Sequence, residues 1–82
     1  MSTVALLSVR QSTHGPYAET AKIAQELKTA MRARGWDGLS HAQCEALELI
    51  ATKIARILSG NPNTAEHWRD IAGYAELVAR EL

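Results

Sequence analysis

The chain has one cysteine, two prolines, no phenylalanine and no excess of charge of either sign. A lone Cys44 cannot close an internal disulfide, so a fold stapled by disulfides is excluded. No CxxC or Cys/His array exists to hold a structural zinc ion. Nine basic residues balance nine acidic ones, and the net charge is zero. An electrostatic nucleic-acid binder needs a basic face to neutralise phosphates, so no nucleic-acid partner is expected. Two tryptophans and two tyrosines are too few to stack a single strand. No apolar run approaches the ~20 residues of a membrane helix. Val4-Ala5-Leu6-Leu7 is too short for a signal-peptide core and no basic residue precedes it. A cytoplasmic protein without a membrane partner is the expectation.

What is there is 82 residues, 46% of them apolar. That is one small domain with a marginal core of its own, since a chain this size buries only roughly 60% of its unfolded surface. Residues 1–15 read as an N-terminal arm, and 16–82 as the helical domain. Met1 to Ser12 fit either an extended arm or a short helix.

The first punctuation is His14-Gly15-Pro16-Tyr17. Proline is pre-organised for a first helical turn, and glycine is an acceptable cap. Ile23, Ala24, Leu27, Ala30 and Met31 then recur at three- and four-residue intervals, which predicts a helix to about Arg34 with Gly35 as a left-handed C-cap. Ser40-x-x-Gln43 is a capping-box pattern opening a second helix to Ser59, closed by Gly60. Its apolar residues fill about half the circumference, which suits the central helix of the domain. Glu45, Glu48, Thr52 and Arg56 gather on the other side, with Leu49 among them. Asn63-x-x-Glu66 reads as a box for a third helix running to the C-terminus. Trp68, Ile71, Ala72, Ala75, Val78, Ala79 and Leu82 make its apolar stripe, and both tryptophans read as core anchors. Gly73 costs about 1 kcal/mol against alanine in a helix interior, which suggests a close helix crossing or the approach of a ligand there. No segment reads as a strand. The fold class is therefore all-α, a three-helix antiparallel bundle. Leu49 on a polar face and the thin core together predict a homo-oligomer.

Few constellations here could carry chemistry. Glu45 and Glu48 lie one turn apart, and His67, Asp70 and Tyr74 form a strip beside the third helix's stripe. Carboxylates on facing helices can hold magnesium, but ExxE is very common on surface helices, and from spacing alone a solvated face is the commoner reading. Lys53 and Arg56 can bind phosphate or pair with nearby acids. Asp70 needs a partner, either a metal or one of these two cations. His14, His41 and His67 share no ligand spacing.

Three separated blocks carry a resemblance. They are Arg10-Gln11-Ser12-Thr13-His14-Gly15-Pro16-Tyr17, the segment from Glu48 to Gly60, and the segment from His67 to Tyr74. Together they resemble a family of small phage and prophage proteins, itself similar to the MazG-like all-α nucleoside triphosphate pyrophosphohydrolases. The resemblance implies a bacterial host cytoplasm, a dimeric or tetrameric helical domain, and magnesium held by EExxE and ExxD acids. Glu45, Glu48 and Asp70 match three of these acids, while Cys44 and His67 stand where the other two would be. It implies nucleotide contacts at Lys53, Arg56 and Tyr74. The expected function is binding a nucleoside triphosphate, or cleaving it with magnesium. The alternative is a non-enzymatic accessory protein that binds a host or phage protein.

Overall fold

A computed structural model describes Thr3 and residues 14–82. Of the N-terminal arm expected over 1–15, all but Thr3, His14 and Gly15 lies outside the described residues. Among the described residues there are three α-helices and no strand: α1 (Tyr17–Met31), α2 (His41–Ser59) and α3 (Ala65–Ala79). A short 3-10 turn, Trp36–Gly38, lies between α1 and α2. No described helix is long and apolar enough to cross a membrane.

The central element is α2, with α1 and α3 each packed on it. Both neighbours run antiparallel to it. Thr20 near the start of α1 meets Ser59 at the end of α2, and Arg32 just past α1 meets Glu48 early in α2. On the other side Lys53 of α2 meets Asp70 of α3. Small residues make this close packing workable: the buried apolar set is Ala24, Ala46, Ala51, Ala55 and Ile57. Alanines let helix backbones approach closely but bury little apolar area each, so the core is thin.

Local chemistry explains the helix ends. Ser40 accepts from the Gln43 amide while the Gln43 side chain accepts from the Ser40 amide, so the capping box at α2 forms in full. Three expectations are corrected. The first helix stops at Met31, not Arg34. Gly35 is not left-handed (φ −83°), because the chain turns directly into the 3-10 segment and α1 closes at Arg32. The third helix is capped at Thr64, not Asn63, because Asn63 donates its amide to the Asn61 side chain in a local turn. Leu49 is half-buried over the α1–α2 groove, so it is not the apolar outlier that motivated an oligomer.

The largest correction concerns α3. The stripe of Trp68, Ala72, Ala75 and Ala79 faces solvent, with Trp68 54% exposed. The face turned to α2 is centred on His67, with Asp70, Ile71, Tyr74 and Val78 half-buried around it. Trp68 is held at its edge by its indole N–H donating to the Pro62 carbonyl at 2.8 Å. Trp36 is no deep anchor either, being half-buried beneath the Arg32 guanidinium at 4.6 Å. Gly73 also faces open space, with nothing within 4 Å of an added Cβ. No close crossing requires it. Gly73→Ala is therefore expected to stabilise the fold by about 0.5–1 kcal/mol, measured by urea denaturation.

Candidate functional site

The chain enters α1 through a tight turn locked against the end of α2. Gly15 has φ +81° and packs against the Ser59 backbone and hydroxyl. Thr20 donates to the His14 carbonyl at 2.9 Å and shares a 2.7 Å hydrogen bond with the Ser59 hydroxyl. Ser59 also reaches the carbonyls of His14 (3.1 Å) and Ala55 (2.8 Å). Two hydroxyls thus hold one backbone turn. The turn delivers the His14 ring to α3, where its Nδ1 lies 3.1 Å from Nε2 of His67. The ring centroids are 4.7 Å apart and His67 is 1% exposed. Across 53 positions of sequence these two histidines tie the start of α1 to α3.

Beside this knot a groove runs between α1 and α2. One end is a cleft of about 480 Å³ whose lining includes His14, Tyr17, Lys28 and Arg56 with Thr20 and Thr52. Among the described residues no acidic side chain lines it. Its floor includes Ala21 and Ala24, and the Tyr17 ring stands at its edge, 84% exposed. The groove continues past Lys28 and Thr52 to a second hollow of about 310 Å³, lined by Glu45, Glu48, Arg32 and Leu49 among others. The first cleft is lined by Lys28 and Arg56, and the second by Lys28 and Arg32 together with Glu45 and Glu48. Glu48 is already paired with Arg32 at 2.8 Å.

The sequence-derived site residues divide between two faces of α2. Glu45, Glu48 and Arg56 line the α1 groove. Lys53 and Asp70 form a 2.7 Å ion pair toward α3, with side chains 13% and 34% exposed. Tyr74 lies with Asp70 along a shallow hollow on α3. The expected magnesium set of Glu45, Glu48 and Asp70 is therefore not brought together. Among the described residues no three of His, Cys, Asp or Glu converge to hold a metal. The physical reason is helical geometry: positions 45 and 48 point toward α1, whereas position 53, which engages Asp70, sits on the flank toward α3. An all-protein three-carboxylate cage does not fit these residues. The expected nucleotide set is likewise split, with Arg56 alone of the three in the cationic cleft.

The partner that Asp70 needs is thus a lysine. The hydrogen bond from Lys53 is the largest influence on the Asp70 carboxyl and holds it below the usual carboxylate value. Partial burial opposes this, while the charges of Lys53, His67 and Arg56 add to the lowering. A carboxyl with a depressed folded pKa contributes stability above its unfolded value, and that contribution is lost as pH falls through the folded value. Asp70→Asn is therefore expected to lower the melting temperature at pH 7, with the deficit closing in strong acid. The deficit should be the same with and without magnesium. Paired melts at neutral and acid pH, with the metal added or chelated, check both statements.

The comparisons with known proteins agree with the extent of this unit. A family model described as a domain of unknown function, DUF6378, matches residues 3–81. The chain belongs to that family. No curated protein and no solved structure matches it significantly. The match covers the His14–Gly15 turn, all three helices and both flanks of α2, so the knot and the groove lie wholly within the family's domain. Sequence reasoning missed the most connected residues of the site, His14 with His67 and Thr20 with Ser59. Their only signal was that three of them fall within the three resembling blocks; the spacing between them carries none.

Proposed function

We propose that the protein binds a nucleotide in the α1–α2 groove, as a binding module and not as a hydrolase. The observation that carries this is the cationic cleft: Lys28 and Arg56 line it with an apolar floor, and among the described residues no acid does. A phosphate chain needs cationic N–H donors, which the Lys28 ammonium and the Arg56 guanidinium supply. An aromatic ring that is 84% exposed costs apolar hydration, and Tyr17 offers a π-face to a base at the cleft edge. The resemblance to MazG-like enzymes supports the same ligand class.

Magnesium enters this reading only with the ligand. It commonly binds through one or two carboxylates plus substrate phosphates, and Glu45 and Glu48 lie farther along the same groove. Two of the acids that cleavage would use are replaced by Cys44 and His67, and His67 is engaged with His14. A phage or prophage origin and a MazG-like ancestry belong to the same proposal, with the chemistry lost and the pocket kept.

Isothermal titration with nucleoside mono-, di- and triphosphates, each with and without magnesium, tests this. Binding should strengthen with phosphate number, and Arg56→Ala should weaken it about tenfold or more while helicity is retained. Phosphate and pyrophosphate release should stay at background. No heat at millimolar nucleotide would overturn the reading. Turnover would overturn the non-catalytic part of it.

A further inference from the structure

Among the described residues the one large apolar side chain in the buried set is Ile57, yet Leu47, Leu58, Trp68 and Leu77 are exposed. Much of the chain's hydrophobic capacity is therefore left on its surface. On α3 it is ordered: Ala65, Trp68, Ala72, Ala75 and Ala79 are all exposed and spaced alternately by three and four residues. That is the spacing of a coiled-coil seam, where two helices cross at a small angle. The seam holds one large residue at one end and small ones at the other. Beside the small end lies an apolar hollow of about 270 Å³, lined by Ala46, Leu47, Ile50, Ala75 and Val78 among others.

We infer that the outer face of α3 is a docking surface for the α3 of a second copy, running antiparallel about a two-fold axis near residues 72–73. Under that symmetry the Trp68 indole of each copy falls level with the stretch between Ala75 and Ala79 of the other. There it meets the hollow beside Ala75, so one bulky knob and one small-residue hole serve each other twice. Charge gives the same register. Arg69 and Glu76 flank the seam, and among the described residues neither has an ion-pair partner within the chain. An antiparallel pair sets Arg69 opposite the partner's Glu76 at two equivalent places. A parallel pair would leave Arg69 and Glu76 of the two copies on opposite sides of the seam and unmatched, so the charges favour the antiparallel arrangement. This face lies on α3, away from the nucleotide groove between α1 and α2, and the two proposals stand independently.

Sedimentation equilibrium of the full chain tests it, with circular dichroism confirming that each variant is folded. The wild type should sediment as a dimer at tens of micromolar. Ala75→Arg places a guanidinium in the seam of an otherwise exposed position and should weaken the dimer about a hundredfold or more. Arg69→Glu should weaken it about tenfold by setting glutamates face to face at two equivalent places. Adding Glu76→Arg to Arg69→Glu should restore it. A wild type that stays monomeric at several hundred micromolar would overturn the inference and leave the face to a different protein. A dimer indifferent to Ala75→Arg would place the interface elsewhere. Loss without rescue in the charge-swapped pair would overturn the antiparallel register.

Discussion

Gly15→Ala should cost about 3 kcal/mol or more, the largest loss expected from adding a methyl at any of Gly15, Gly35, Gly38 and Gly73. Two costs add. An L-residue held in the left-handed region is destabilised by roughly 1–2 kcal/mol, and Gly15 has φ +81°. Overpacking a filled contact costs about 1–3 kcal/mol more, and the new Cβ would lie 2.6 Å from the Ser59 hydroxyl oxygen and against the Ser59 carbonyl. Ser59 cannot step aside cheaply. Its hydroxyl is held by Thr20, His14 and Ala55, and its backbone is the last residue of α2. The methyl therefore has to push the turn away from α2, which also carries His14 off His67. Gly38→Ala is the control, since nothing lies within 4 Å of its added Cβ, and it should change stability little. Urea denaturation of the three proteins measures the difference. Equal losses at Gly15 and Gly38 would mean that the turn is not locked against α2.

How much of this was legible in the sequence depends on how local each determinant is. The box at Ser40 and Gln43 needs four consecutive residues and no tertiary partner, so the sequence alone placed the start of α2 within one residue. The order of three helices is equally local, because three- and four-residue periodicity and glycine–proline punctuation belong to each segment. The orientation of α3 is not local. Hydropathy ranks Trp68 above His67 for burial, and a stripe through Trp68 and the alanines looks like the inner face. The structure turns α3 the other way because His14 arrives from the start of α1 to meet His67, and Lys53 arrives from α2 to meet Asp70. Neither partner lies within one helical turn of the residue it engages. The division of the acids follows from the same cause. Once Asp70 is committed to Lys53, it sits across α2 from Glu45 and Glu48. The Gly15 turn lies between these extremes: the glycine marked a boundary in the sequence, but its left-handed conformation is required by Ser59, 44 positions away.

Adjacent substitutions on α3 test that orientation most directly. His67→Ala should cost about 3 kcal/mol, whereas Trp68→Ala should cost about 1 kcal/mol or less in solution dilute enough to dissociate the proposed dimer. Truncating a buried side chain removes its contacts and leaves a cavity, typically at 2–5 kcal/mol for large side chains. His67 is the largest fully buried side chain described, at 1% exposure. Its loss also removes the 3.1 Å hydrogen bond between the His14 and His67 rings. Trp68 gives up a 2.8 Å hydrogen bond to the Pro62 carbonyl and the covered half of its ring. It leaves no enclosed cavity, and water can reach the freed carbonyl. From composition alone the ranking would be the reverse, since tryptophan carries far more apolar area than histidine. Chemical denaturation of both variants at low micromolar concentration decides between the two. A larger loss at Trp68 would mean that α3 presents its alanine stripe to α2, and both the His14–His67 contact and the proposed outer seam would fall with that result.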